Sequence, residues 1–275
     1  MPRCRRQRSC ETLAFMNAGT AAKLFAQVSR PKALLFDFGG TLDCPSHWLD
    51  RFLAHYRACG IEITREELDP AFTFATQAGY AAGKPLERFK LGDLVRFLVG
   101  NQFEYLRRDG PEWVRAMINQ KDSRERFRIV ERIHDSFLAQ TAAGLAHTRE
   151  ILRRLVPTYK LGVISNWYGN LDAIIAEAGM ARLFGAVIDS TKVRAFKPDE
   201  AIFRAALDAL KVRAEETAMV GDSMPKDCAP AHTLGMRTVL LRSAGAPAVA
   251  AAQSAGGVAP DFTIDSLDRL LDLAW

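Results

Sequence analysis

Residues 34–43 read LLFDFGGTLD, an apolar run that ends in Asp37 and then breaks into two glycines and a threonine. Extended back to residue 32, the run has the short, uniformly apolar form of a strand that is buried on both faces, as strands are inside a parallel sheet. Asp37 is therefore predicted at the carboxyl end of a buried strand. Two residues later, Gly39 offers no side chain at all.

Other segments of the chain repeat this strand form, with helical patterns between them. The predicted strands are 161–165, 217–222 and 238–241, with a shorter one at 186–189 and a last strand and helix within 261–275. The predicted helices between them are 171–178, 201–210 and 229–234. Alternation of this kind predicts an α/β fold with a doubly wound, Rossmann-like parallel sheet.

One long stretch interrupts the alternation. Between residues 47 and 144 nearly every segment is amphipathic and helical, with predicted helices at 48–59, 65–79, 86–99, 111–119 and 123–140. We interpret residues 47–144 as an inserted all-helical domain and residues 32–46 with 145–275 as the α/β core. The insertion follows the first strand, so it is expected above the carboxyl ends of the strands, where open α/β sheets bind ligands.

Composition and charge exclude several classes of protein. The 275 residues are 48% apolar and 9% aromatic, which is globular composition. No uninterrupted apolar run reaches the length of about 18 residues that a membrane helix needs, and no secretory signal is apparent, so a cytoplasmic protein with no membrane partner is expected. The five cysteines form no CxxC pair, which argues against a zinc site.

The first 31 residues carry the whole net charge of +5, because they contain six basic side chains and one acidic side chain, Glu11. We therefore predict no nucleic-acid partner and interpret residues 1–31 as a basic extension that is expected to be disordered. An over-extended start, with Met16 as the initiator, and an arginine-rich targeting segment are both open interpretations of this extension.

Polar residues follow the ends of three predicted strands, and a lysine precedes a predicted helix. They are Asp37 with Thr41, Ser165 with Asn166, Asp222 with Asp227, and Lys197. Each could simply cap a helix or face solvent. Because the carboxyl ends of parallel strands share one edge of a sheet, the set is expected to converge there.

These residues and their order resemble the haloacid dehalogenase-like hydrolase superfamily, over residues 32–275. FDFGGT resembles the motif that carries the nucleophilic aspartate, which falls on Asp37, and VISN resembles the second motif at Ser165. KPDEAIF resembles the lysine motif at Lys197, and GDSMPKD resembles the acidic motif at Asp222 and Asp227. The helical insertion resembles family members whose cap domain lies between the first and second motifs.

The resemblance implies a Mg²⁺-dependent phosphatase acting on a small phosphorylated substrate, and elementary chemistry supports the same roles. A carboxylate attacks a phosphate monoester only if the charge between them is neutralised, and Mg²⁺ prefers oxygen ligands. Asp37, Asp222, Asp227 and the main-chain carbonyl of Gly39 are the expected metal site. Lys197 would screen the like charges.

The phosphoryl oxygens would be received by Ser165, by Lys197 and by the groups around Thr41 and Asn166.

Gly39 departs from the family pattern, in which the residue two after the nucleophile is a second aspartate that protonates the leaving group. General acid–base help contributes about 10²–10⁴ in rate, so activity is expected to be slow or specialised for good leaving groups such as acyl or aryl phosphates. His47 is a candidate surrogate acid, since its ordinary pKa of about 6.5 suits the task. A packing or capping role for His47 is the alternative.

Two other functions remain open at this stage. Family dehalogenases also lack the second aspartate because halide leaves without a proton, although an acidic residue at position 222 speaks against this interpretation. A catalytically silent protein that binds a phosphorylated ligand is the other alternative.

Substrate choice is expected in the helical insertion. Its candidates are Arg51, Arg57, Lys84 and Arg88 for a second anionic group and Phe72, Phe74 and Tyr80 for a ring. Solvated faces and core packing are the ordinary roles of such residues.

Overall fold

The sheet is built from six parallel strands, and the apolar run of residues 34–36 lies in one of its central strands. In the computed structural model, which describes residues 30–242 and 258–275, the strand order is β3-β2-β1-β4-β5-β6. The strands are β1 Ala33–Phe36, β2 Lys160–Ser165, β3 Ala186–Asp189, β4 Thr217–Gly221, β5 Arg237–Leu241 and β6 Phe262–Ile264. All strand pairs are parallel. The predicted doubly wound parallel sheet is confirmed.

The central strands are apolar because both of their faces are covered. Every residue of β1 and β4 is buried. Leu35, Ile164 and Met219 pack with Ile202 and Phe203 of a helix that crosses one face of the sheet. At about 25 cal/mol per Å² of buried apolar surface, this layer is a main source of the stability of the core.

Helices fill the connections between strands. Five lie between β1 and β2: α1 Trp48–Ala58, α2 Arg65–Ala82, α3 Leu91–Asp109, α4 Glu112–Asn119 and α5 Ser123–Leu155. Later in the chain come α6 Leu171–Glu177, the short α7 Ser190–Val193, α8 Glu200–Leu210 and α9 Ala229–Thr233. In the described part of the chain, each helix is too short or too polar to cross a lipid bilayer.

The predicted helix at 86–99 is wrong at its start, and it ends too early because α3 continues to Asp109. The chain instead makes a 3₁₀ turn at Lys84–Arg88 and begins α3 at Leu91. Contacts from distant residues cause the break: the side-chain amide of Asn170 donates to the carbonyl of Phe89 at 2.9 Å, and Glu177 accepts from the Leu91 amide at 3.1 Å. Local periodicity cannot register partners that lie some eighty residues away.

The last helix of the insertion is longer than predicted, because it continues from Ser123 past residue 140 to Leu155. Its later turns bury Leu145, Leu152 and Leu155, so the apolar stripe runs on. Gly144 does not end the helix. A Cβ at Gly144 would lie 2.0 Å from the carbonyl oxygen of Asp43, so glycine is what lets α5 pack against the segment that leaves the first motif.

The proposed division into core and helical domain remains a prediction, since Pro31–Ala274 forms one compact unit. The boundary at residue 144 falls inside α5. The predicted basic extension at 1–31 lies outside the described residues except for its last two, and residues 243–257 are also outside them.

Substituting Gly144 with alanine is expected to destabilise the fold, because the added methyl group meets backbone atoms of Asp43 that have no room to move. Overpacking of this kind costs about 1–3 kcal/mol. Gly100 of α3 is the matched control, because nothing lies within 4 Å of its Cβ position. Gly100→Ala should stabilise the helix by roughly 0.5–1 kcal/mol. Urea unfolding of the two variants and the parent measures both effects, and equal stability of the variants would contradict the packing argument.

Candidate active site

Asp37 stands at the carboxyl end of β1, where the sequence predicted it. Its amide donates to the carbonyl of Val220 at 2.9 Å, which continues the sheet by one more residue. The residue is 6% exposed, and its Oδ1 accepts hydrogen bonds from Ser165 Oγ at 2.8 Å and Lys197 Nζ at 2.6 Å. Three of the predicted residues are thus in direct contact.

Lys197 reaches the site from a loop, and Asn166 fixes that loop. The Nζ of Lys197 forms ion pairs with Asp37 and Asp227, both at 2.6 Å. The side-chain amide of Asn166 accepts from the Lys197 backbone amide at 2.7 Å and donates to its carbonyl at 3.0 Å. The side chain of Asn166 therefore holds the lysine loop in place, and the predicted role of the groups around Asn166 in binding the phosphoryl oxygens stays a prediction.

Asp222 and Asp227 complete a cluster of carboxylates with Asp37. Oxygen atoms of the three side chains all lie within 4.8 Å of one another. Gly221 makes room for the cluster, since a Cβ there would lie 2.3 Å from Oδ2 of Asp227. That same oxygen accepts from the Ser223 amide at 3.0 Å. Asp222, by contrast, receives no hydrogen bond from the described residues.

The charges in this cluster are not balanced. Burial raises the pKa of Asp222 well above its ordinary value, and the negative charges of Asp37 and Asp227 raise it further. Burial also raises the pKa of Asp227 to about 6, against the opposing effect of Lys197. Burial alone would lower the pKa of Lys197, but Asp227 and Asp37 outweigh it and raise that pKa. One ammonium group faces three carboxylates, so a further cation would be bound favourably.

Gly40 is required by both its backbone and its surroundings. Its φ of 86° lies in the left-handed region that favours glycine. A Cβ at this position would lie 2.3 Å from Oδ2 of Asp222. The second glycine of the motif therefore brings the first loop against the acidic cluster.

The sequence analysis missed Asp43 and misplaced Arg51. Asp43 is fully buried and accepts from the Gly40 amide at 2.7 Å, from Trp48 Nε1 at 2.6 Å and from Arg51 at 2.5 Å. Arg51, 2% exposed, also donates to Thr141 of α5, so it is not free to meet a second anionic group of a substrate. The signal that could have indicated Asp43 is its place three residues after Gly40, from which an aspartate side chain can accept from the earlier backbone amide.

Gly39 lies under two indole rings. Its backbone, at φ −77° and ψ 118°, is one that any residue adopts. A Cβ there would be 3.4 Å from Cζ3 of Trp167 and 3.4 Å from Nε1 of Trp48. Where the family pattern that the sequence resembles has a carboxylate, this chain presents aromatic surface. Neither tryptophan was singled out in the sequence, because each lies on a different element from Gly39.

The remaining predicted residues lie close by but have different surroundings. Thr41 is 1% exposed, and its hydroxyl has no hydrogen-bond partner in the part of the chain that the structure describes. His47 accepts from the Leu49 amide at 3.2 Å and so caps α1, while its ring faces Phe72 at 5.8 Å. Desolvation lowers the pKa of His47, so the ring is neutral at pH 7. The capping role is observed, and the role as surrogate acid stays a prediction.

Comparisons with known proteins agree with this geometry. The model of the haloacid dehalogenase-like hydrolases matches residues 31–235. Haloacid dehalogenase-like hydrolase domain-containing protein 3 of Danio rerio is 32% identical over 111 residues, which is 40% of this chain and 44% of that protein. Phosphoserine phosphatase of Thermus thermophilus is 47% identical over 62 residues, 22% of this chain and 25% of that protein.

A crystal structure of a dehalogenase with an intermediate complex superposes with a TM-score of 0.56 at 18% identity, covering 89% of this chain and 97% of the other. At that identity the likeness concerns the fold alone. The sequence matches span less than half the length of the two curated relatives. Because the family model covers most of the chain, the resemblance found in the sequence is confirmed, and the chain belongs to the haloacid dehalogenase-like hydrolase family.

Proposed function

We propose that this chain is a Mg²⁺-dependent phosphatase that takes the phosphoryl group of a small phosphorylated metabolite onto Asp37. The observation that carries the proposal is the cluster of the buried Asp37 and Asp227 with the partly exposed Asp222, in which Lys197 contacts two of the three carboxylates. The phosphoserine phosphatase among the relatives supports phosphoryl transfer as the reaction. On this proposal, the helices between β1 and β2 serve as the cap over the site.

The donors present fit Mg²⁺. They are all oxygen atoms, as this ion prefers, and Asp222 has no hydrogen-bond donor among the described residues to compete for its lone pairs. Asp37, Asp222 and the carbonyl of Gly39 would hold the ion, and Asp227 would orient Asp222 or a bound water. When bound, Mg²⁺ would neutralise charge between the carboxylates and the phosphoryl group.

The chain's own residues then divide the work of two displacement steps. Ser165 and Lys197 fix the Asp37 carboxylate, one oxygen of which attacks phosphorus while the bond from phosphorus to the leaving oxygen breaks and that oxygen keeps the electron pair. Water then attacks phosphorus, which releases phosphate and restores Asp37. The proton lost by the water ends on the departed alkoxide or phenolate. Gly39 offers no acid for the first step, so esters with good leaving groups are favoured.

Asp37→Asn is expected to abolish Mg²⁺-dependent hydrolysis of 4-nitrophenyl phosphate, because the amide is a poor nucleophile. Asp69→Asn, which changes an exposed carboxylate of α2, is the matched control and should leave the rate unchanged. Release of 4-nitrophenolate with Mg²⁺ and with a chelator is the measurement. Activity that survives Asp37→Asn or needs no metal would remove the proposal, and halide release from 2-haloacids without metal would decide for a dehalogenase.

Gly39→Asp is expected to raise the rate on alkyl phosphates more than on aryl phosphates, by up to about 10²-fold, because only the poor leaving group needs a proton. The backbone at this position accepts a side chain and its Cβ fits between the indoles. Gly39→Ala adds the same Cβ without the acid and should give no such gain. An equal effect of aspartate on both substrate classes would show that protonation of the leaving group is not what limits the reaction.

Mg²⁺ should raise the melting temperature more at pH 7.5 than at pH 5. The raised pKa values of Asp222 and Asp227 mean that protons stabilise the metal-free fold at low pH, and for Asp227 this contribution is lost as pH rises through about 6. Above that pH the ion replaces the protons, whereas below it protons compete with the ion. At one hundred times its Kd the ion contributes about 2.7 kcal/mol. Differential scanning fluorimetry measures the shift, and Asp222→Asn should remove it.

A further inference from the structure

We propose that the substrates of this phosphatase are monophosphate esters of aromatic alcohols, selected by a set of aromatic side chains around Asp37. The inference rests on the phosphatase function proposed above and names its substrate class. We call Trp48, Tyr80, Trp167, Tyr168 and Phe196 the aromatic collar.

The loops that carry the reacting groups also carry aromatic rings. Trp167 lies two residues after Ser165, and Phe196 directly precedes Lys197. The ring of Trp167 meets that of Phe38, the residue after Asp37, edge-on at 4.9 Å. The position of each reacting side chain thereby fixes an aromatic surface beside it.

The helical insertion supplies the other rings. Trp48 of α1 meets Trp167 at 5.4 Å with the two planes nearly perpendicular. Tyr80 of α2 lies 4.8 Å from the ring of Tyr168 and 5.4 Å from that of Phe196. The collar thus spans the insertion and the loops of the core.

The close approach of α2 is itself dictated by sequence. A Cβ at Gly79 would lie 2.7 Å from Cε1 of Tyr168, so glycine before Tyr80 lets the helix and this ring meet.

Two rings of the collar lie at the position of the missing acid. Position 39, where related phosphatases carry the leaving-group acid, is lined by Trp48 and Trp167. Trp48 Nε1 is occupied by Asp43, so the surface offers no acidic proton. A leaving group at this point contacts indole and must depart as an anion. Phenols satisfy both conditions, since they present a ring and are far more acidic than alkyl alcohols.

Two further features, a buried polar group without a partner and an exposed aromatic ring, also point to a ligand here. The Nε1–H of Trp167 is buried and has no acceptor among residues 30–242 and 258–275, and buried donors are seldom left unpaired. Phe196 is 42% exposed beside the buried Lys197. An exposed phenylalanine next to a reacting group is a surface on which a ring can stack.

The other rings that were considered in the insertion, Phe72 and Phe74, pack against residues outside the aromatic collar. Phe72 packs against Phe52 at 6.2 Å, and Phe74 meets Tyr105 at 5.3 Å. Tyr80 is the member of that group which contacts the loops of the core, and Phe74 on the same helix is its matched control.

The test is calorimetric binding of phenyl phosphate and methyl phosphate, with Mg²⁺, to protein that carries Asp37→Asn and cannot turn them over. Phenyl phosphate should bind more tightly. Adding Tyr80→Leu should weaken phenyl phosphate about two- to tenfold, the contribution of one aromatic pair, and leave methyl phosphate unchanged. Tyr80→Phe, which keeps the ring, and Phe74→Leu should change neither affinity. If Tyr80→Leu does not fold, Phe196→Leu takes its place with the same expectation.

Equal weakening of both ligands by Tyr80→Leu, or equal affinity of the two ligands for the parent, would overturn the inference. Turnover separates this failure from failure of the proposed function. Asp37-dependent hydrolysis of acetyl phosphate, a good leaving group with no ring, without any preference for aryl esters would leave the phosphatase standing and remove the collar's role. Loss of Asp37-dependent hydrolysis on every ester would remove both.

Discussion

The site depends on one buried lysine placed between two carboxylates. Lys197 is 5% exposed and lies 2.6 Å from both Asp37 and Asp227. Removing one partner of such a buried pair typically costs about 3–5 kcal/mol, because the charge left behind has no compensation. Much of the surrounding structure serves this arrangement: Asn166 holds the lysine loop by its backbone, and Gly221 clears space for Asp227. The ion pairs among the buried charges therefore help to position the loops, and the loops in turn hold the charged side chains in contact.

Strand order explains why so much of this site could be predicted from the sequence. β1 lies between β2 and β4, in a register that aligns Phe36 with Val163 and with Val220. Asp37 and Asp222, which follow β1 and β4, and Ser165, which ends β2, must then emerge side by side at one edge. A reader of the sequence needs only the three apolar runs and the rule that parallel strands end together. Chemistry at strand ends is predictable because the sheet leaves little freedom there.

What could not be predicted arises from contacts between residues distant in sequence. Arg51 has the spacing of a charge on the outer face of an amphipathic helix. It is nevertheless buried, because its guanidinium group pairs with Asp43 and donates to Thr141, which lie on two other segments. The indoles over Gly39 belong to α1 and to the loop after β2, and the sequence around residue 39 does not predict this contact. The start of α3 was misjudged for the same reason. Periodicity shows which face of a helix is apolar. It carries no information about which polar groups of other segments pack against the polar face.

The glycine at position 39 and the rings above it are better understood as one adaptation than as a lost residue. The backbone there would accept any side chain, so no conformational need explains the glycine. A carboxylate at that point would lie against two indoles, and it would add a fourth negative charge to a cluster that has one lysine. Both effects would raise its pKa. Aromatic surface removes that cost but supplies no proton, so on the proposed function the chemistry would be restricted to leaving groups that are stable as anions. The absence of a side chain at residue 39 would then limit the acid–base chemistry and at the same time expose the aromatic surface that we propose recognises such leaving groups.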